Sequence, residues 1–97
     1  MESLKPLSDF FIAIKADPRI SITHIGIYAA LLQFWKEHDY NNPLYVFSYE
    51  IMQIAKVSAS TTYHKSIKDL NDFGYIRYEP SFKRNKGSKV YFNSTDK

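Results

Sequence analysis

The 97-residue chain contains no cysteine. That excludes disulfides, thiolate zinc sites, iron–sulfur clusters and a cysteine nucleophile. Long apolar runs are missing as well. Near the N-terminus the longest uncharged apolar stretch, Phe10–Ile14, is five residues, whereas a membrane-spanning helix needs about 20. Residues 22–35 are richer in apolar side chains but are interrupted by His24, Gly26 and Gln33. The basic start, apolar stretch and small-residue cleavage site of a signal peptide are also absent. The expectation is a cytoplasmic protein that makes no use of a membrane. Glycine is scarce, at three residues, and no Gly-rich phosphate loop or pair of carboxylates accompanies the hydroxyls near His64. His24, His38 and His64 do not fall at a metal-ligand spacing. No metal, cofactor or enzymatic activity is expected.

What is present suits a small folded domain. Apolar residues make up 44% of the chain, charged residues 24% and aromatic residues 16%, a globular rather than a disordered composition. A chain of this size forms one core, so residues 1–97 are expected as a single domain with 93–97 as a frayed tail. The formal charge of +3 hides a division. Residues 1–55 carry four Lys or Arg against six Asp or Glu, a net −2, while residues 56–97 carry nine against four, a net +5. Such asymmetry suggests a polyanionic partner for the second half.

Periodicity divides the chain into elements. Ser8-Asp9 is expected to cap a short helix that ends at Asp17-Pro18. A longer helix is expected from about Ile22 to about His38. Its apolar face comprises Ile25, Tyr28, Ala29, Leu32 and Trp35 and is widened by Ile27, Ala30, Leu31 and Phe34. A helix apolar over so much of its circumference is either central to the core or shared with a partner. After the turn residues Asp39–Pro43, Leu44–Phe47 has strand composition. Ser48 is expected to cap a helix over 49–56, and Ser58 to cap another that buries Tyr63, Ile67, Leu70 and Phe73 and stops at Gly74. Beyond Gly74 the period changes to two, giving strands at 75–79 and 89–92 joined by a polar turn.

Residues 47–79, FSYEIMQIAKVSASTTYHKSIKDLNDFGYIRYE, resemble the segment shared by bacterial winged-helix DNA-binding domains. The matching positions are Ser48, Val57-Ser58, Thr61, Tyr63, Ile67, Leu70 and Gly74-Tyr75-Ile76, followed by a hairpin, Lys83–Lys89, that matches the wing. Residues 10–47 also resemble a bacterial family associated with mobile elements, which implies no mechanism. The resemblance implies an α+β, mostly helical, winged helix-turn-helix fold of order α-α-β-α-α-β-β. There is one departure from the pattern: members commonly carry Gly before the turn valine, where this chain has Lys56.

The residues themselves agree with a DNA role. With Tyr63, Ile67 and Leu70 committed to the core, the opposite face of the helix over 58–73 presents Ser60, Thr61, His64, Lys65 and Lys68. Thr61, His64, Lys65 and Lys68 form a stripe without an acid, suited to base edges and phosphates of the major groove. Ser58 and the first-turn N–H groups suit a phosphate. The wing loop, 81–89, holds Lys83, Arg84, Lys86 and Lys89 and no acid, a composition suited to backbone or minor-groove contact. The expected function is sequence-specific binding of double-stranded DNA as a small transcriptional regulator, with Phe10, Phe11, Ile27, Leu31 and Phe34 as candidates for a homodimer interface. Two alternatives stand beside it: a winged-helix protein-interaction module without DNA binding, and the DNA-binding part of a plasmid or mobile-element replication initiator.

Overall fold

A computed structural model describes residues 5–81 and 86–92. The expectations for Lys83, Arg84 and the 93–97 tail lie outside the described residues. Four helices precede and flank a small sheet: α1 (Lys5–Ile14), α2 (Ile22–Glu37), β1 (Leu44–Val46), α3 (Ser48–Ala55), α4 (Ser60–Asp72), β2 (Ile76–Glu79) and β3 (Ser88–Phe92). The result is a mostly helical α+β chain with an antiparallel sheet of order β1-β3-β2. No helix among the described residues is long and apolar enough to cross a membrane.

α2 is the axis of the molecule and packs against α1, α3 and α4. Its apolar residues cover more than one stripe, so it can bury side chains in three directions. Ile27 and Leu31 are fully buried, with Ala30 and Phe34 beside them. Ile25, Ala29, Leu32 and Trp35, expected as the inward face, are half-buried. This burial corrects the expected dimer interface. Phe10, Ile27, Leu31 and Phe34 all lie in the core, and only Phe11, 43% exposed, remains at the surface. Phe10 stacks on Tyr28 with ring centroids 3.9 Å apart, which holds α1 against α2.

Helix starts differ from the expected caps. α1 begins at Lys5, so Ser8 and Asp9 lie within it. Phe47, not Ser48, is the N-cap of α3, and its N–H donates to Oε1 of Glu50 at 3.1 Å. The N-cap of α4 lies one residue later than expected, at Ala59, with Ser58 in the preceding turn. In both cases the extended residue ahead of the helix is set by the turn that delivers it, and hydroxyl preference is overridden.

The ends of α2, α3 and α4 follow one pattern. The N–H of Tyr40 bonds to the Trp35 carbonyl at 2.9 Å, that of Val57 to Met52 at 3.0 Å and that of Tyr75 to Leu70 at 2.9 Å. Each closure requires a left-handed residue just before the donor. Gly74 fills that place after α4 with φ of 92°, as expected, while Asp39 (61°) and Lys56 (63°) fill it after α2 and α3. The Lys56 turn therefore keeps the left-handed conformation despite the missing glycine.

The sheet is completed by its last strand. β3 pairs with β2 in the register Ile76↔Phe92 to Glu79↔Lys89, and with β1 in the register Leu44↔Val90 to Val46↔Ser88. Asn42 extends the second pairing: its amide accepts the Phe92 N–H at 3.2 Å and donates to the Phe92 carbonyl at 3.4 Å. On the far edge, the Tyr78 N–H donates to Oδ1 of Asn71 at 2.9 Å, tying β2 to α4. Gly87 lies where a Cβ would sit 2.9 Å from the Val46 nitrogen and oxygen. Only a residue without a side chain lets β3 begin against β1 there.

Candidate nucleic-acid interface

Of the residues expected to contact DNA, seven fall on α4, the turn before it and the end of the hairpin. α4 buries Tyr63, Ser66, Ile67 and Leu70, with Tyr63 1% exposed. This anchors the helix and turns Ser60, Thr61, Thr62, His64, Lys65 and Lys68 outward, all exposed. Ser58 is exposed in the turn. Lys86 is exposed and lines the same cleft as His64, so the helix face and the end of the hairpin are contiguous. Lys89 falls elsewhere. It alternates with Ser88 and the core residue Val90 along β3 and stands in register with Tyr45 and Glu79, on the outer face of the sheet.

The lysine stripe is not free of acids, a correction to the sequence expectation. Lys65 Nζ lies 3.2 Å from Oδ2 of Asp69, and Lys68 Nζ 3.0 Å from Oδ2 of Asp72, each one turn along the helix. Both lysines keep most of their side-chain surface exposed, at 79% and 73%. Exposed i,i+4 pairs contribute only about 0.3–0.5 kcal/mol. A phosphate can therefore displace either carboxylate at small cost. The Lys68 ammonium, together with the Asn71 amide, holds the Asp72 carboxyl below the usual carboxylate range.

His64 has a defined tautomer. Its Nδ1 lies 2.9 Å from the Ser60 carbonyl oxygen, which can only accept, so Nδ1 carries the hydrogen. Nε2 is left as the outward acceptor of the neutral ring.

A second histidine, not expected at the site, braces α4 from behind. His24 is buried at the start of α2. The Ser21 N–H donates to its Nδ1 at 2.9 Å, so Nε2 is the donor, reaching Oδ2 of Asp69 at 3.0 Å. Asp69 thus accepts from His24 and Lys65 on one oxygen, and its carboxyl is held low, first by His24 and then by Lys65. Nearby, Asp17 accepts from Arg19 Nε at 2.8 Å and from the Tyr75 hydroxyl at 2.6 Å. These bonds push the Asp17 carboxyl well below its ordinary range, while burial and Asp17 push the Tyr75 hydroxyl up to about 12. The Arg19 guanidinium lies 3.9 Å over the Phe73 ring. The loop between α1 and α2 is in this way fastened to the last turn of α4 and the start of β2. Neither contact has a local sequence signal, because Asp17 and Tyr75 are 58 positions apart and His24 and Asp69 are 45.

Among the described residues no group of three or more His, Cys, Asp or Glu side chains is placed to hold a metal ion. No protein-family model, curated protein or solved structure matches the chain.

Proposed function

We propose that the protein is a winged helix-turn-helix domain that binds double-stranded DNA sequence-specifically, as a small transcriptional regulator. The observation that carries the reading is the contiguity of α4 and the hairpin. Thr61, His64, Lys65 and Lys68 face outward from a helix rooted in the core by Tyr63, Ile67 and Leu70, and Lys86 comes to the same cleft as His64. A rooted helix with an outward polar face fits the major groove, and a basic hairpin beside it fits the flanking backbone. Thr61, His64 and Lys65, with Ser60, read base edges. Lys68 and Lys86 neutralise phosphates, as do Lys83 and Arg84 of the wing. The reading assigns no catalysis and fits a cytoplasmic location. A two-fold dimer on a palindromic site belongs to it, with an interface drawn from Phe11 and Ile12 on the outer side of α1, both exposed.

The test is selection of duplexes from a random pool at two salt concentrations. Enrichment of one motif, with affinity falling steeply as salt rises, supports the reading. Lys65→Ala should change the preferred sequence, and Lys83→Glu with Arg84→Glu should weaken all sequences alike. Binding that ignores both salt and these substitutions overturns it.

One observation favours the alternative, a protein-interaction module. Asp69 and Asp72 balance Lys65 and Lys68 on α4, leaving the helix face polar rather than strongly cationic. Absence of any enriched duplex at low salt would favour that reading.

A further inference from the structure

We propose that the cleft bounded by the start of α3, the first turns of α4 and the beginning of β3 is a phosphoryl-oxyanion site, with Tyr63, Ser48, Ser88 and Lys86 as donors. The cleft has a volume of about 180 Å³ and is lined by Val46, Phe47, Ser48, Tyr63, His64, Tyr78, Ser81, Lys86 and Ser88. Four of these carry the argument.

Tyr63 is the first. It is 1% exposed, yet its hydroxyl has no hydrogen-bond partner among the described residues. Every fully enclosed side-chain nitrogen or oxygen among the described residues does have a partner. The Tyr63 hydroxyl must therefore open on the cleft that Tyr63 lines. A phenol in an apolar wall, with only its oxygen reaching a polar cavity, is a donor waiting for an acceptor. Burial pushes its pKa far above the ordinary value, so the hydroxyl keeps its hydrogen at any physiological pH.

Ser88 is the second. Its Oγ accepts from the Ser81 N–H at 3.2 Å and from the Tyr78 hydroxyl at 3.4 Å. With its lone pairs so used, its own hydrogen is left for an acceptor in the cleft. Ser48 and Lys86 complete the set, and neither has a side-chain partner among the described residues. No acidic residue lines the cleft. Three hydroxyl donors and an ammonium, all on different elements, suit an anion with several oxygens, each able to accept.

A phosphoryl group can reach this site as a backbone phosphate of DNA or on a free phosphorylated ligand. In the first case the site deepens the proposed function, on which that case rests, by fixing where the backbone passes between α4 and the hairpin.

The experiment uses the full chain. Inorganic phosphate is titrated against it with backbone amide resonances as readout, at constant ionic strength set with chloride. Saturable shifts confined to residues 46–48, 63–64 and 86–88 are expected. Tyr63→Phe removes one hydroxyl from a packed ring, and Lys86→Gln removes an exposed cation that folding does not need. Each should weaken phosphate binding by about three- to tenfold. Shifts no larger than those with chloride, or undiminished in both variants, overturn the proposal. The same variants are then titrated with duplex DNA. A uniform loss across sequences makes the phosphate that of DNA. Unchanged DNA affinity beside weakened phosphate binding assigns the cleft to a free phosphorylated ligand. Phosphate binding in a chain that binds no duplex overturns the DNA reading and leaves the site standing.

Discussion

The imidazole of His24, buried at the start of α2, donates through Nε2 to Oδ2 of Asp69 on the outer half of α4 at 3.0 Å. The same oxygen accepts from Lys65 at 3.2 Å. One carboxylate thus serves two purposes: it satisfies a buried ring nitrogen and holds a surface cation.

These purposes separate on substitution. Asp69→Ala leaves the His24 N–H without an acceptor and should cost about 1–3 kcal/mol of stability, read from urea unfolding. Asp69→Asn keeps a carbonyl for His24 and should cost clearly less, while releasing Lys65 from its counter-charge. On the DNA reading, the Asn variant binds more tightly and steepens the dependence of log K on log salt by about one. Equal destabilisation by Ala and Asn would show that His24 does not use this oxygen.

Acid should loosen the fastening at Asp17. Its carboxyl titrates below the ordinary value in the folded protein because Arg19 and Tyr75 donate to it. A carboxyl with a depressed folded value stabilises the fold above its unfolded value, and that contribution is lost as pH falls below about 4. The Asp69 carboxyl, also held low, acts in the same direction. Thermal unfolding followed between pH 6 and 2.5 should show Tm falling less steeply in Asp17→Asn than in the parent chain; parallel curves refute the assignment. Tyr75 and Tyr28 have the opposite sign. Both are pushed up to about 12, so their contribution is complete below pH 10 and declines as pH rises from 10 towards 12.

The closing turns of α3 and α4 make a matched pair. Lys56 holds φ of 63° where Gly74 holds 92°, and a left-handed conformation costs a residue with a Cβ about 1–2 kcal/mol. Lys56→Gly should stabilise the protein by about 0.5–1 kcal/mol, and Gly74→Ala should destabilise it by about 1 kcal/mol. A Cβ at Gly74 meets nothing within 4 Å, so the second effect is conformational strain alone. Urea midpoints check both, and a Lys56→Gly variant weaker than the parent contradicts the account.

Gly87→Ala should be more damaging. Its Cβ would press on the Val46 backbone at 2.9 Å, and neither strand can yield without losing register. Overpacking of this kind costs about 1–3 kcal/mol. Amide exchange should quicken first at Leu44–Val46; a thermal midpoint within a degree or so of the parent would mean that β1 gives way freely.

Element order was legible in the sequence because it rests on local pattern. The period change after Gly74, the apolar breadth of α2 and the turn residues Asp39–Pro43 each mark their own boundary. The caps were less legible. Ser48 and Ser58 have the right chemistry, but Phe47 and Ala59 occupy the extended positions, which depend on the turns. The ion pairs of Lys65 and Lys68 were legible in principle, since Asp69 and Asp72 stand at the i+4 positions. A stripe traced only as far as residue 68 stops one turn short of them. His24–Asp69 and Asp17–Tyr75 join residues 45 and 58 positions apart, and no local pattern encodes them. Burial of Phe10, Ile27, Leu31 and Phe34 follows from three helices surrounding α2, which periodicity within a single helix does not reveal.

The sheet order gives residues 88–92 an importance out of proportion to their number. Among the described residues β3 is the last strand in sequence and the middle strand in space, and β1 and β2 make no ladder with one another. During synthesis neither has its ladder partner until residues 88–92 emerge. Removing residues 88–92 would leave two strands unpaired with a single deletion.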